Sequence, residues 1–359
     1  MGFLKGTMTF SQYQVTGEIP ADFNKIFDDQ IRKYAFPDFI GAAAEKAIGW
    51  TDIVDPLDTS FTYGKCNFGN YLIFSLRIDR KIIPPALFRL KYLQAQKAFL
   101  AQRAVKKVYR AQRDELKEAV RSDLLKKVQP IPSFFEICWN PKENRLLFSS
   151  LSDKVNDDFH SLFIESFDFL LRPFLPWDPQ FQSPEMATHL SSPEALPWGR
   201  EFLTWLWFKS EERDGMITIA PEEEVEIHFV RRIVLISGDG EHSEQVVCRG
   251  IHSALIEGKE ALRQGKVIKE GRIRLSRDTA SWEFTLKADR FQFQSLKLPA
   301  SMEMEDDEKD DEGKTLERIY LLEQAVKTME RLFEYFLQIR LSPKWETEET
   351  SRMAKWLER

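Results

Sequence analysis

Arg80–Pro130 reads RKIIPPALFRLKYLQAQKAFLAQRAVKKVYRAQRDELKEAVRSDLLKKVQP, and its first 34 residues, as far as Arg113, hold neither Asp nor Glu. Pro84 and Pro85 stand where a helix start tolerates proline, and the residues up to Pro130 are mostly good helix formers with no internal Gly or Pro. The pattern predicts one long basic helix over 86–129, a rod of about 65 Å if unbroken. Arg103, Lys106, Arg110, Arg113, Lys117 and Arg121 follow one another at helical spacings of three and four, so they form one stripe. Val105, Val108, Tyr109, Leu116, Ala119 and Val120 fall on another face. Such a helix packs through one side and holds cations toward a partner on the other.

The charge is concentrated. Arg80–Lys127 carries fourteen Lys or Arg against four acids, net +10, which leaves 37 bases and 53 acids in the rest of the chain, net −16. An acidic protein that gathers its positive charge on one element has the electrostatic footprint of a surface meeting a polyanion. A merely solvated helix mixes signs to gain i,i+4 pairs, and this one forgoes them over its first 34 residues.

Outward from that helix, the periodicity predicts an α+β fold with meandering antiparallel sheets. A strand is expected over 3–15, a helix over 20–34, extended runs at 60–63 and 71–78, a hairpin from 134–139 and 145–150, and a helix over 153–171. Six prolines between Arg172 and Trp198 mark a crossing segment. Beyond it come a short aromatic helix over 200–210, a hairpin from 225–237 and 244–248 about Gly238-Asp239-Gly240, and a helix over 253–264. Strands at 266–275, 281–287 and 291–297 follow, then a solvated acidic loop over 303–312 and a helix over 315–339. The expected organisation is an N-terminal α+β domain over 1–172, the crossing segment at 173–198, a second α+β domain over 199–300, and an acidic loop with helical tail over 301–359. Cys66, Cys138 and Cys248, an odd number without a CxxC pair, read as reduced and buried. No apolar run is long enough to span a bilayer, the basic helix lacks a wide apolar face for lipid, and Met1-Gly2-Phe3-Leu4-Lys5 does not resemble a signal peptide. The expectation is a cytoplasmic protein with no membrane contact.

The order of several blocks resembles the RdgC family of recombination-associated proteins. Arg80-Lys81-Ile82-Ile83-Pro84-Pro85 before the basic helix is similar to that family's lysine, aliphatic, proline helix start. Cys138-Trp139 with Leu146-Leu147-Phe148-Ser149-Ser150-Leu151-Ser152-Asp153-Lys154 is similar to its tryptophan hairpin and following helix. Leu203-Thr204-Trp205, Gly265-Lys266-Val267-Ile268 and Ser295-Leu296-Lys297-Leu298 resemble its later helix and sheet. The resemblance implies a horseshoe-like subunit, a homodimeric ring around double-stranded DNA with little sequence preference, and modulation of RecA-dependent recombination on the nucleoid. The crossing segment, the acidic loop and the tail after Lys314 depart from the common form.

The candidate DNA-binding residues are Lys81, Arg103, Lys106, Lys107, Arg110, Arg113, Lys117, Arg121, Lys126 and Lys127, working through phosphates. Lys266, Arg272 and Arg274 form a second group on one face of an expected strand, with Lys269 on the other. Double-stranded DNA is the expected partner, with single-stranded DNA a further candidate, and Phe134 and Phe135 are candidates for a dimer interface. No cofactor, metal site or catalytic residue is expected. Asp239 followed by Glu257-Gly258-Lys259 copies the acid and ExK order of metal-dependent nucleases, but Glu257 and Lys259 fall in an expected helix, where that chemistry needs a strand. Trp205, Trp207 and Phe208 could stack on bases, although their helical context reads as core. The alternatives to a DNA binder are a metal-dependent nuclease and a scaffold whose basic helix meets an acidic partner.

Overall fold

The chain's first long strand pairs near its last, and that closure organises the molecule. A computed structural model describes residues 2–358 except 21, 63, 104, 191–196, 222, 238–243, 251–253 and 300–310. In the N-terminal half the elements are β1 (Met8–Thr16), α1 (Phe23–Lys33), β2 (Lys46–Thr51), β3 (Asn67–Phe68), β4 (Tyr71–Arg80), α2 (Pro85–Arg103), α3 (Arg110–Lys127), β5 (Ile131–Asn140), β6 (Arg145–Phe148), α4 (Asp153–Phe167) and β7 (Leu170–Pro173). After the short α5 (Pro184–Leu190) come α6 (Trp198–Ser210), β8 (Met216–Ala220), β9 (Glu223–Ser237), β10 (Glu244–Arg249), α7 (Ala254–Arg263), β11 (Val267–Arg277), β12 (Ala280–Lys287), β13 (Gln292–Lys297), α8 (Asp311–Arg340) and α9 (Thr350–Glu358). The fold is α+β. Among the described residues thirteen strands make one sheet, with the order β10-β9-β11-β12-β13-β1-β6-β5-β4-β2 along its main path.

β1 is the joint. Its start pairs with β13, Met8 opposite Leu296 and Phe10 opposite Phe293, while Ser11–Gln14 pair with β6 and Tyr13–Thr16 with β7. The expected division into domains at 172 and 199 therefore separates stretches of sequence that share one sheet.

Alternation along β4 shows how the sheet is covered on both faces. Leu72, Phe74, Leu76 and Ile78 face one core with Trp139, Phe148 and the α4 residues Phe159 and Phe163. Ile73 joins the other core, with Cys138, Leu147 and the α8 residues Leu322 and Val326. The aromatic helix α6 lies in that second core, where Trp205 and Trp207 are fully buried and Phe208 nearly so, so they are packing residues.

α6 comes so close to the sheet that Gly199 is required: a Cβ there would lie 2.1 Å from the Ala288 carbonyl oxygen. Because that neighbour is backbone, Gly199→Ala should destabilise by about 1–3 kcal/mol, read as a lower urea midpoint; an unchanged midpoint would refute the close packing.

α4 is shorter than its periodicity predicts. Asp168 adopts a left-handed conformation (φ 58°) that stops the helix and releases the chain into β7, a strand the sequence pattern did not reveal. β2 and β8 also lie outside the predicted runs, and of the expected run at 60–63 the described residues 60–62 form no strand.

On α4, the ring of His160 meets Tyr13 edge-on at 4.8 Å, and its Nε2 is buried without a hydrogen-bond partner among the described residues. Burial pushes its pKa below the usual histidine value, against the pull of Asp157. The unfolded chain then takes the proton more readily than the folded one, so stability falls as pH drops below about 6.5. His160→Phe should flatten the stability profile between pH 7 and 5 in urea titrations, and an unflattened profile would contradict this.

Candidate nucleic-acid interface

The β4–β5 ladder runs from Leu72 opposite Trp139 to Arg80 opposite Ile131. Between those last partners the chain inserts α2 and α3, which pack on each other as a two-helix arm. The continuous helix expected over 86–129 is thus broken after Arg103 and restarted at Arg110. The reason is burial. Phe88, Tyr92, Ala95 and Phe99 on α2, and Leu116, Val120, Leu124 and Leu125 on α3, are half-buried or buried, whereas a single rod would leave both faces in water. Val108 is buried at the turn, and the Tyr109 N–H donates to the Gln112 carboxamide at 3.1 Å at the start of α3. The arm is about 28 Å long, from 1.5 Å per residue, rather than a 65 Å rod.

The break redistributes the predicted stripe. Arg110, Arg113, Lys117 and Arg121 keep one face of α3, while Lys106 and Lys107 lie in the turn and Arg103 ends α2, its guanidinium 5.1 Å from the Phe99 ring. Arg110, Arg113, Lys106, Lys107 and Lys126 are exposed and make no ion pair among the described residues. Three others are engaged: Lys117 with Asp114 at 3.1 Å, Lys127 with Asp123 at 2.7 Å, and Arg121 Nε with Glu45 at 2.6 Å. These pairs are solvent-exposed and worth at most about 1 kcal/mol, so a stronger anion can replace them. The break also brings forward three cations absent from the candidate set. Arg89, Lys91 and Lys97 on α2 are exposed, and α2 contains no acid.

Lys81 is a correction. It is 6% exposed, and its ammonium donates to the carbonyls of Phe39 (3.1 Å) and Ala42 (2.7 Å) while lying 4.3 Å from the Phe39 ring. It pins the 36–45 loop to the root of the arm and has no ammonium free for a ligand.

The second candidate group is also rearranged. Lys266 precedes β11 and donates to Glu244 at 2.8 Å. Arg272 is held by Glu283 at 3.0 Å and by the Ser295 carbonyl at 3.2 Å. Irregular register between Ile268 and Glu270 shifts the parity of β11, so simple alternation misplaces this group. Arg274 lies 3.8 Å from the Glu283 carboxylate with its side chain 47% exposed.

The two candidate interface phenylalanines part ways. Phe135 is half-buried and packs on Phe148 at 6.0 Å, so it belongs to the core. Phe134 is 42% exposed beside Ile131 at 55%. β6 covers only Ile137–Asn140 of β5, so among the described residues 131–135 form a strand edge paired on one side.

Residues 8–198, which contain the joint strand, the arm and α4, match the family model described as "Putative exonuclease, RdgC". The chain belongs to the RdgC family. No match was found among curated proteins. β8 to α9, including the nuclease-like pattern, lie beyond the part that matches the RdgC model. Asp239 is outside the described residues; Glu257 and Lys259 sit on α7, where Lys259 donates to Glu211 at 2.7 Å. No described helix is long and apolar enough to cross a membrane. Most of the expected acidic loop, 303–310, also lies outside the described residues.

Proposed function

We propose that this RdgC-family protein binds double-stranded DNA without sequence preference, gripping phosphates with the two-helix arm. The observation that carries the reading is the arm itself: its first helix and its turn bear six Lys or Arg with no acid, all exposed. Phosphate contacts require cations that can be presented without a base-reading motif, and two helices raised on a β-ladder present them. The proposal extends to a homodimer closing around the duplex, with the edge 131–135 and Phe134 at one junction, and to modulation of RecA-dependent recombination on the nucleoid; family membership supports both. Sedimentation at micromolar concentration should give a dimer, and a monomer would remove the ring.

Binding rather than catalysis is proposed, because what the arm displays is exposed Lys and Arg, the groups that hold phosphates. The family description favours one competing reading, an exonuclease. Linear duplex incubated with the full chain and magnesium should stay intact while its mobility shifts. Shortening of the ends would make the protein a nuclease instead.

A further inference from the structure

The C-terminal half of the sheet carries a second concentration of positive charge, and a bulge builds it. Between the register pairs Gly271 opposite Ile233 and Ile273 opposite Phe229, β11 spends one residue, Arg272, where β9 spends Val230, Arg231 and Arg232. The surplus puts Arg231 in a left-handed backbone conformation (φ 63°), with its carbonyl accepting from the Gly250 N–H at 3.0 Å. Such a conformation disfavours any residue with a Cβ, yet an arginine occupies it, and its side chain stands 72% exposed.

Trp282, Phe284 and Leu286 of β12 point into the core, which leaves Glu283, Thr285 and Lys287 on the outer face. There Arg272, Arg274 and Arg231 converge on Glu283, at 2.9, 3.8 and 3.9 Å. Arg232 (3.3 Å) and Lys287 (3.7 Å) share Glu270. Lys297 is exposed opposite Glu283 across the β12–β13 ladder. Six cations thus surround two carboxylates, and Arg249 adds another directly opposite Arg232. Like charges facing across a ladder repel, so an external anion bound here would relieve that repulsion. Most of these cations are arginines, whose planar forks suit phosphate oxygens.

We infer that this outer face, centred on Arg231 and Arg274, is a second contact surface for the phosphates of double-stranded DNA, distinct from the arm. The inference rests on the DNA-binding reading, and it assigns a role to a half of the chain that the family match does not reach.

The test is fluorescence anisotropy of the full chain on a labelled duplex across 50–200 mM salt. The variant Arg231→Gly, Arg274→Gln, Lys297→Gln should flatten the plot of log affinity against log salt by about 0.9 for each phosphate no longer neutralised. The charge-preserving variant Arg231→Lys, Arg274→Lys, Lys297→Arg should retain the parental slope. A neutral variant with parental affinity and slope overturns the second surface while leaving the arm reading intact; a parent that binds no duplex overturns both. Should the triple variant fail to fold, Arg231→Gly alone, which relaxes the backbone, must still flatten the slope, and a parental slope refutes the idea. Binding of polyglutamate as tight as that of DNA would contradict the phosphate assignment.

Discussion

Replacing Lys106, Arg110 and Arg113 together by alanine should flatten the salt dependence of duplex binding by about 2.7, at about 0.9 for each phosphate contact removed. Affinity should fall alike on every sequence, since phosphate contacts position a protein without reading bases. All three side chains are exposed and make no ion pair among the described residues, so the folded state loses little when they are truncated. Alanine is also the better helix former at 110 and 113. A variant that folds with the parental urea midpoint yet keeps the parental slope would show that the arm's face is only a solvated surface.

The second large effect concerns α8, which lies beyond the family match but not beyond the core. Phe333 is fully buried among Phe202, at 5.2 Å between ring centroids, Trp177 at 5.5 Å and Phe336 at 5.8 Å. Along the same helix the Tyr71 hydroxyl donates to Glu323 at 2.9 Å, Arg145 pairs with Glu330, and the Trp282 indole donates to the Leu321 carbonyl at 2.9 Å. α8 thus ties the N-terminal sheet to the C-terminal one. Phe333→Ala should cost about 3–5 kcal/mol through reduced transfer energy and the cavity left behind. A loss below about 1 kcal/mol in urea unfolding would mean that α8 is an appendage, since exposed substitutions typically stay within about 0.5 kcal/mol.

What was legible in the sequence follows the reach of local physics. The hairpin of β5 and β6, the helix α4 and the core character of Trp205 and Trp207 are written in periods of 2 and 3.6 that a short window contains. The arm's charge was legible because composition does not depend on geometry. Its break was not: the three-and-four spacing of Arg103, Lys106 and Arg110 continues arithmetically through a turn that exists because two apolar faces need each other.

Lys81 failed for a related reason. Within a basic run it looks like its neighbours, and its burial is decided by carbonyls of Phe39 and Ala42 some forty residues away. The sequence does not mark Arg231 and Arg232, because a bulge is set by how β9 meets β11, which neither strand records alone. The β1–β13 closure is likewise a long-range pairing, and it joins the two expected domains in one sheet.

The central claim, duplex binding through phosphates, is tested most directly by titrating the full chain onto two labelled duplexes of unrelated sequence at a series of salt concentrations. The predicted result is a straight log–log plot with the same slope for both, steep enough to report several phosphate contacts at about 0.9 each. Absence of binding at 50 mM salt, or a slope near zero, would contradict the account.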